Sequence, residues 1–211
     1  MKKSLQALNW AQKSLVTLFS MLLTGFAMAG MISSDLGADS FTLFIGGLSR
    51  VAGIGEGTAT NLANIFLFLF CLFFNRRRIR GATLICALAS GPCVDAGAAA
   101  LARLFPHPLS PAGRLGVGAA SCVLLGLGVG LYLALDFGAA PLDGFVLWLQ
   151  DVTRLRYRTC TWAFNLVLFA VGIALGGTLG PVTLLGLLVP GAVADVLLTR
   201  LGPPRPGPAA P

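Results

Sequence analysis

The sequence predicts an all-α integral membrane protein, a polytopic bundle of transmembrane helices made of two internal repeats. Three observations predict it. Hydrophobic residues make up 56% of the 211 and charged residues 11%, against about a quarter charged in soluble domains. The apolar residues gather in six long runs. The chain also overlays itself when shifted by about one hundred positions.

The runs cover residues 15–32, 58–74, 82–102, 115–135, 159–176 and 182–199. Each approaches the roughly 20 residues that cross a hydrocarbon core. Backbone groups in lipid must bond internally, so only helices or closed barrels span it. These runs are continuous rather than alternating, which selects helices. The first run follows Lys2, Lys3 and Lys13 and precedes Ala27-Met28-Ala29, the layout of a signal peptide. Its counterpart in mid-chain argues for a retained first helix.

The repeat is specific. At a spacing of 101, Asp35-Leu36-Gly37-Ala38 meets Asp136-Phe137-Gly138-Ala139, Thr58 meets Thr159, Thr60 meets Thr161 and Asn64 meets Asn165. After one gap, at a spacing of 100, Thr83 meets Thr183, Gly91 meets Gly191 and Asp95 meets Asp195. Leu and Ala matches arise from composition alone, but two Asp pairs and an Asn pair in register do not. The organisation is therefore a first repeat at 1–105, a connecting loop at 106–114, a second repeat at 115–201 and a proline-rich extended tail at 202–211.

Within each repeat a short apolar stretch, 40–54 or 141–152, follows the first spanning run. Gly46, Gly47 and Arg50 interrupt one; Asp143, Gly144 and Asp151 interrupt the other. Paired short segments of this kind point to discontinuous helices around a central site. If both are partial, there are six crossings and inverted halves. Arg76, Arg77, Arg78 and Arg80 then share the inner side with both termini, and only Arg50, Arg103 and Arg114 lie outside. If both cross, there are eight crossings and parallel halves. Charge asymmetry favours six, with the chain in a bacterial inner membrane.

Polar residues inside the runs are the candidate site. Asp95 and Asp195 follow Gly91 and Gly191 within apolar helices. A carboxylate there costs about 2.5–3.5 kcal/mol on insertion scales unless protonated, paired or hydrated. They are expected to face the interior, as ligands for a proton or cation or as inter-repeat hydrogen-bonding groups. Asn64 and Asn165 are expected to bond neighbouring helices or to coordinate solute. Asp39 and Asp143 lie at the starts of the short stretches and complete the set of solute- or ion-binding candidates. Asp35, Gly37, Asp136, Gly138 and Pro141 are read as turn residues, with the two aspartates capping helix starts and Pro141 fixing a helix entry.

Other chemistry is disfavoured. The net charge of +7 sits between helices, where it meets anionic lipid, and no nucleic-acid-reading motif accompanies it. Five cysteines form no CxxC pair, and the single His107 lies between prolines, so neither disulfides nor a metal site are expected. Gly126-Leu127-Gly128-Val129-Gly130 has no strand before it and is not a dinucleotide loop. Its spacing suits close helix packing. No catalytic set or cofactor is expected. The partners are the bilayer and a small solute or ion.

The turn residues resemble the YczE/YyaS/YitT family of bacterial integral membrane proteins. The resemblance rests on Leu36-Gly37-Ala38-Asp39, on Phe137-Gly138-Ala139-Ala140-Pro141-Leu142-Asp143-Gly144, and on Gly176-Gly177-Thr178-Leu179-Gly180 followed by a helix with Gly191 near its middle. Ser40 stands where the second repeat has Pro141, and Pro181-Val182 replaces a glycine-rich step; both depart from the pattern. The resemblance covers nearly the whole chain apart from the tail. It implies a multi-spanning membrane protein and brings no catalytic residues. The expected function is a secondary transporter or channel-like protein for a small solute. The alternative is a non-transporting assembly or sensor factor.

Overall fold

A computed structural model describes residues 8–76, 79–105, 109–138, 140–155 and 157–201, with only the backbone of Tyr157 and Arg158. Lys2, Lys3, Arg77, Arg78, His107 and the tail lie outside the described residues. Those described form eight helices and no strand: α1 Trp10–Ser34, α2 Ser40–Ala52, α3 Glu56–Phe74, α4 Gly81–Leu104, α5 Pro111–Ala134, α6 Pro141–Thr153, α7 Tyr157–Ala174 and α8 Pro181–Leu201. Five of them, α1, α3, α4, α5 and α8, are long and apolar enough to cross a membrane. Phe66, Phe73, Leu166 and Leu188 are each more than two-thirds exposed. Such surface is stable against lipid, not water.

Packing directions fix the number of traverses. Along α1 and α4, Met21 clusters with Cys86, Gly25 abuts Cys93 and Ala29 abuts Gly97, so the two helices run parallel. Gly118 abuts Val182, Gly126 abuts Pro190 and Gly130 abuts Ala194, so α5 and α8 are parallel too. Gly30 abuts Ser121 while Gly128 abuts Thr24, which makes α1 and α5 antiparallel. Each half therefore returns once between its two long outer helices. The first returns through α3 and the second through the 18-residue α7, about 27 Å long. Eight crossings would make α1 and α4 antiparallel. The halves are inverted, with six traverses and two partial helices.

The short segments correct one expectation. They are not broken: α2 and α6 are continuous helices of 13 residues, about 20 Å each. Gly46 and Gly47 both stay helical; Gly47 is where the helix is approached, whereas a Cβ on Gly46 would meet nothing within 4 Å. A Cβ on Gly47 would lie 2.7 Å from the Leu175 side chain. Each short helix crosses to the other half, α2 packing on α7 and α6 on α3. Glycine mediates the first contact, Gly47 and Gly172 letting backbones meet. Aromatic rings mediate the second, Phe70 lying 4.9 Å from Phe145 and 4.7 Å from Trp148.

The backbone carries the repeat even where side chains do not. Asp35 and Asp136 both have positive φ, 53° and 47°, and so do Gly37 and Gly138, 97° and 131°. A third pair, Gly53 and Arg154, ends α2 and α6 at φ 65° and 56°. Arg154 thus occupies a left-handed position that suits glycine, at a cost of about 1–2 kcal/mol. Arg154→Gly is expected to raise the melting temperature of the purified protein, with about 1 kcal/mol gained. An unchanged or lowered midpoint would mean that the Arg154 side chain compensates for its backbone.

The turns interlock the halves. Val182 N–H at the start of α8 donates to Leu36 O at 3.1 Å, and Ala82 N–H at the start of α4 donates to Phe137 O at 3.3 Å. Thr183 and Thr83 accept from Gly180 N–H and Arg80 N–H at 3.3 and 3.2 Å. Each Gly37-type turn is therefore docked on a helix start of the opposite half.

Candidate functional site

Both turns deliver a carboxylate to the start of a short helix, but at different steps. In the first half Asp39 is the N-cap of α2, and Asp39 Oδ2 accepts from Phe41 N–H at 3.1 Å and more loosely from Thr42 N–H at 3.5 Å. Its repeat counterpart is Ala140, the N-cap of α6, which has no side chain to cap with. Three residues on, Thr42 in the first half corresponds to Asp143 in the second. One acidic residue is kept per turn, and its position within the cap is exchanged.

The surroundings follow the same symmetry. Asp39 lies beside α8, where a Cβ on Gly186 would come within 2.8 Å of the Asp39 nitrogen. Met31, Ala38, Cys122 and Val182 form the adjacent core cluster from α1, the turn, α5 and α8. Asp143 adjoins the related cluster of Met21, Cys86, Cys93 and Tyr132, with Ala140 against it. Tyr132 O–H donates to Asp143 Oδ2 at 2.5 Å. A phenol bonded to a carboxylate at this distance is a strong, charge-assisted contact. Pro141 occupies the first turn of α6 and fixes its entry.

A cavity of about 40 Å³ opens beside the first turn, lined by Met31, Asp35, Gly37, Thr42, Arg50 and Thr178 among others. That is room for water. Arg50 closes one side by donating to Gly176 O at the end of α7. The repeat position of Arg50 is Asp151, so the two short helices carry opposite charges at the same step.

The remaining candidates separate. Asp95 and Asp195 do not face the interior as a pair; both residues are exposed. Asp95 Oδ1 accepts from Gly57 N–H at 3.0 Å and so caps α3, whose own N-cap Gly55 makes no side-chain bond. Asn64 Nδ2 donates to Ser90 Oγ at 2.9 Å, and Asn61 Oδ1 accepts from Gly91 N–H at 2.9 Å beside Pro92. These bonds close the α3–α4 seam. The second half lacks that seam, since α7 barely touches α8. The sequence accounts for it: the counterparts of Gly57, Asn61 and Ser90 are Arg158, Trp162 and Pro190. Asn165 is half-buried, its side chain joined by no hydrogen bond among the described residues, and a Cβ on Gly191 would meet nothing within 4 Å. Asp35 and Asp136 do not cap the short helices. They occupy left-handed positions at the ends of α1 and α5, which aspartate tolerates better than most residues. The five cysteines are buried and unpaired.

Sequence reasoning missed Tyr132 and Thr42. Tyr132 had a signal, being one of 2 tyrosines and sitting inside an apolar run. Thr42 is visible only once it is set against Asp143 in the repeat.

The chain is 28% identical over 182 residues to the uncharacterized protein YyaS of Bacillus subtilis (strain 168), covering 84% of this chain and 88% of that protein. No solved structure matches it. A model of a family of unknown function, DUF6198, matches residues 11–198. With that match spanning both repeats and all eight helices, the chain belongs to the DUF6198 family.

Proposed function

We propose that this protein is a secondary transporter for a small solute in a bacterial inner membrane, with both termini cytoplasmic. One observation carries the reading. Two inverted halves each present a carboxylate at the start of a partial helix, and each partial helix packs on the opposite half. Inverted repeats of this design support alternating access by rocking one half against the other around a shared site. Asp39 and Asp143 are the proposed solute- or ion-handling groups, with Tyr132 and Thr42 as their immediate partners. The role is not catalytic on this reading, because Asp39 and Asp143 adjoin separate clusters, one with Met31 and Cys122 and the other with Met21 and Tyr132, and are not set as an acid/base pair.

A flux test works without an identified cargo. Proteoliposomes holding an internal pH dye and the full chain would be challenged in turn with neutral amino acids, monocarboxylates and alkali-metal salts. The expected result is a flux above empty vesicles for one class, lost in Asp143→Asn. No flux for any class, together with a stoichiometric membrane partner on purification, would favour an assembly or sensor role. The open α8 face around Gly191, with Leu184, Leu187 and Leu188 exposed, is the feature that would serve such a partner.

A further inference from the structure

Opposite charges line the cavity beside the first turn without meeting. Asp35 and Arg50 both border this space of about 40 Å³. Neither belongs to an ion pair among the described residues. Arg50 is held instead by one bond, from a guanidinium N–H to Gly176 O. A guanidinium carries five donors in a fixed fork, so most of them stay open. Asp35 is exposed at the end of α1, and its carboxylate makes no hydrogen bond among the described residues.

A glycine makes the room. Gly46 lines the cavity, and a Cβ there would meet nothing within 4 Å. Its repeat counterpart is Leu147, and that of Arg50 is Asp151. The second half thus has a bulky side chain where the first has space. It also has two carboxylates, Asp136 and Asp151, where the first has one charge of each sign. Thr42, Gly46 and Arg50 are spaced by four and share one face of α2. Met31 and Leu43, both buried, supply apolar wall.

We propose that this cavity binds a small zwitterion, an α-amino acid without a bulky side chain, with its carboxylate on Arg50 and its ammonium on Asp35. The planar fork of an arginine matches a carboxylate. An anion alone would be repelled by Asp35, and a cation alone by Arg50; a zwitterion satisfies both. The cavity of about 40 Å³ is roughly three times the least space that holds one water, so it suits free glycine better than a larger amino acid. The charged ends then lie toward the exposed rim, and the methylene lies against Met31 and Leu43. This deepens the transport reading and rests on it for direction: with both termini cytoplasmic, α2 lies on the outer side and solute enters from outside. Thr42 links the cavity to Asp39, the carboxylate already assigned to solute handling.

Binding is measured without flux. Equilibrium binding of radiolabelled free glycine would be recorded for the full chain in lipid nanodiscs, and for R50Q, D35N, G46L and D136N. The expected result is saturable binding that D136N leaves unchanged. R50Q, D35N and G46L should each weaken it by about tenfold or more, the effect of losing one hydrogen bond to a charged group. Unlabelled acetate and methylammonium, each carrying one of the two charges, should compete far less well than unlabelled glycine. G46A separates binding from folding: alanine is the better helix former, so it should keep or raise the unfolding midpoint while weakening binding. No saturable binding to the folded chain would overturn the proposal and leave the cavity to water. Acetate competing as well as glycine, with D35N unchanged, would replace the zwitterion site with an anion site. Glycine binding without flux in proteoliposomes would keep the site and end the transport reading. Flux of another solute class without glycine binding would do the reverse.

Discussion

Gly91→Ala is expected to destabilise the protein by about 2 kcal/mol, while Gly191→Ala at the equivalent repeat position leaves it as stable or slightly more so. A Cβ on Gly91 would come within 2.3 Å of Gly57 O and 2.4 Å of the Asn61 side chain, both in the α3–α4 seam. Backbone cannot yield to that without separating the helices, and overpacking of this kind costs about 1–3 kcal/mol. Gly191 faces open space, and alanine in a helix interior is favoured over glycine by about 0.5–1 kcal/mol. Thermal unfolding in detergent would show the first variant about 4–8 °C below the native protein. Equal effects at the two positions would mean that α7 closes on α8 as α3 closes on α4.

Tyr132→Phe is expected to cost about 1.5–3 kcal/mol, the range for hydrogen bonds to charged groups. It removes the donor 2.5 Å from Asp143 Oδ2 and leaves a carboxylate against the cluster of Met21, Cys86 and Cys93. Asp143→Leu in the Tyr132→Phe background should recover part of the loss, since an apolar pair is less costly than a half-satisfied polar one. A double-mutant cycle on unfolding midpoints measures the coupling. Additive single effects would show that the two side chains are independent. In the flux assay the same Tyr132→Phe variant should lose activity at temperatures where it remains folded.

The sequence made the broad architecture legible through quantities that depend on one residue at a time or on short spacings. Apolar run length gave the helices, and the Asp35/Asp136 and Gly37/Gly138 pairs located the turns. What escaped depends on which helix faces which. Asp95 looks like an inward ligand in one dimension because burial cost is the only force visible there. In three dimensions the α3 start lies beside it, and four unbonded amides at a helix start attract a carboxylate strongly. Asp195 has the same sequence context, but its helix α8 barely touches α7, and the sequence counterpart of Gly57 is Arg158.

The short segments mislead for a related reason. Glycine inside a 13-residue stretch suggests a break when that stretch of chain is considered alone. Gly47 is instead the point where α2 receives α7, and its repeat counterpart Trp148 is the point where α6 receives α3 through rings. The same contact is made by absence in one half and by bulk in the other, so residue identity hides the symmetry that backbone angles preserve. Arg154 at the position of Gly53 is the sharpest case.

The central claim is the inversion of the halves, and labelling of one repeat pair tests it most directly. Val51 and Val152 are separated by 101 residues, lie at the ends of α2 and α6, and are 66% and 61% exposed. Each would be changed to cysteine in a background where the five buried cysteines are replaced by serine or alanine. Intact cells would be treated with a membrane-impermeant maleimide. The two positions should react from opposite sides, Val51→Cys in intact cells and Val152→Cys only after the membrane is opened. Labelling of both from the same side would contradict the inverted arrangement and place the two halves in parallel.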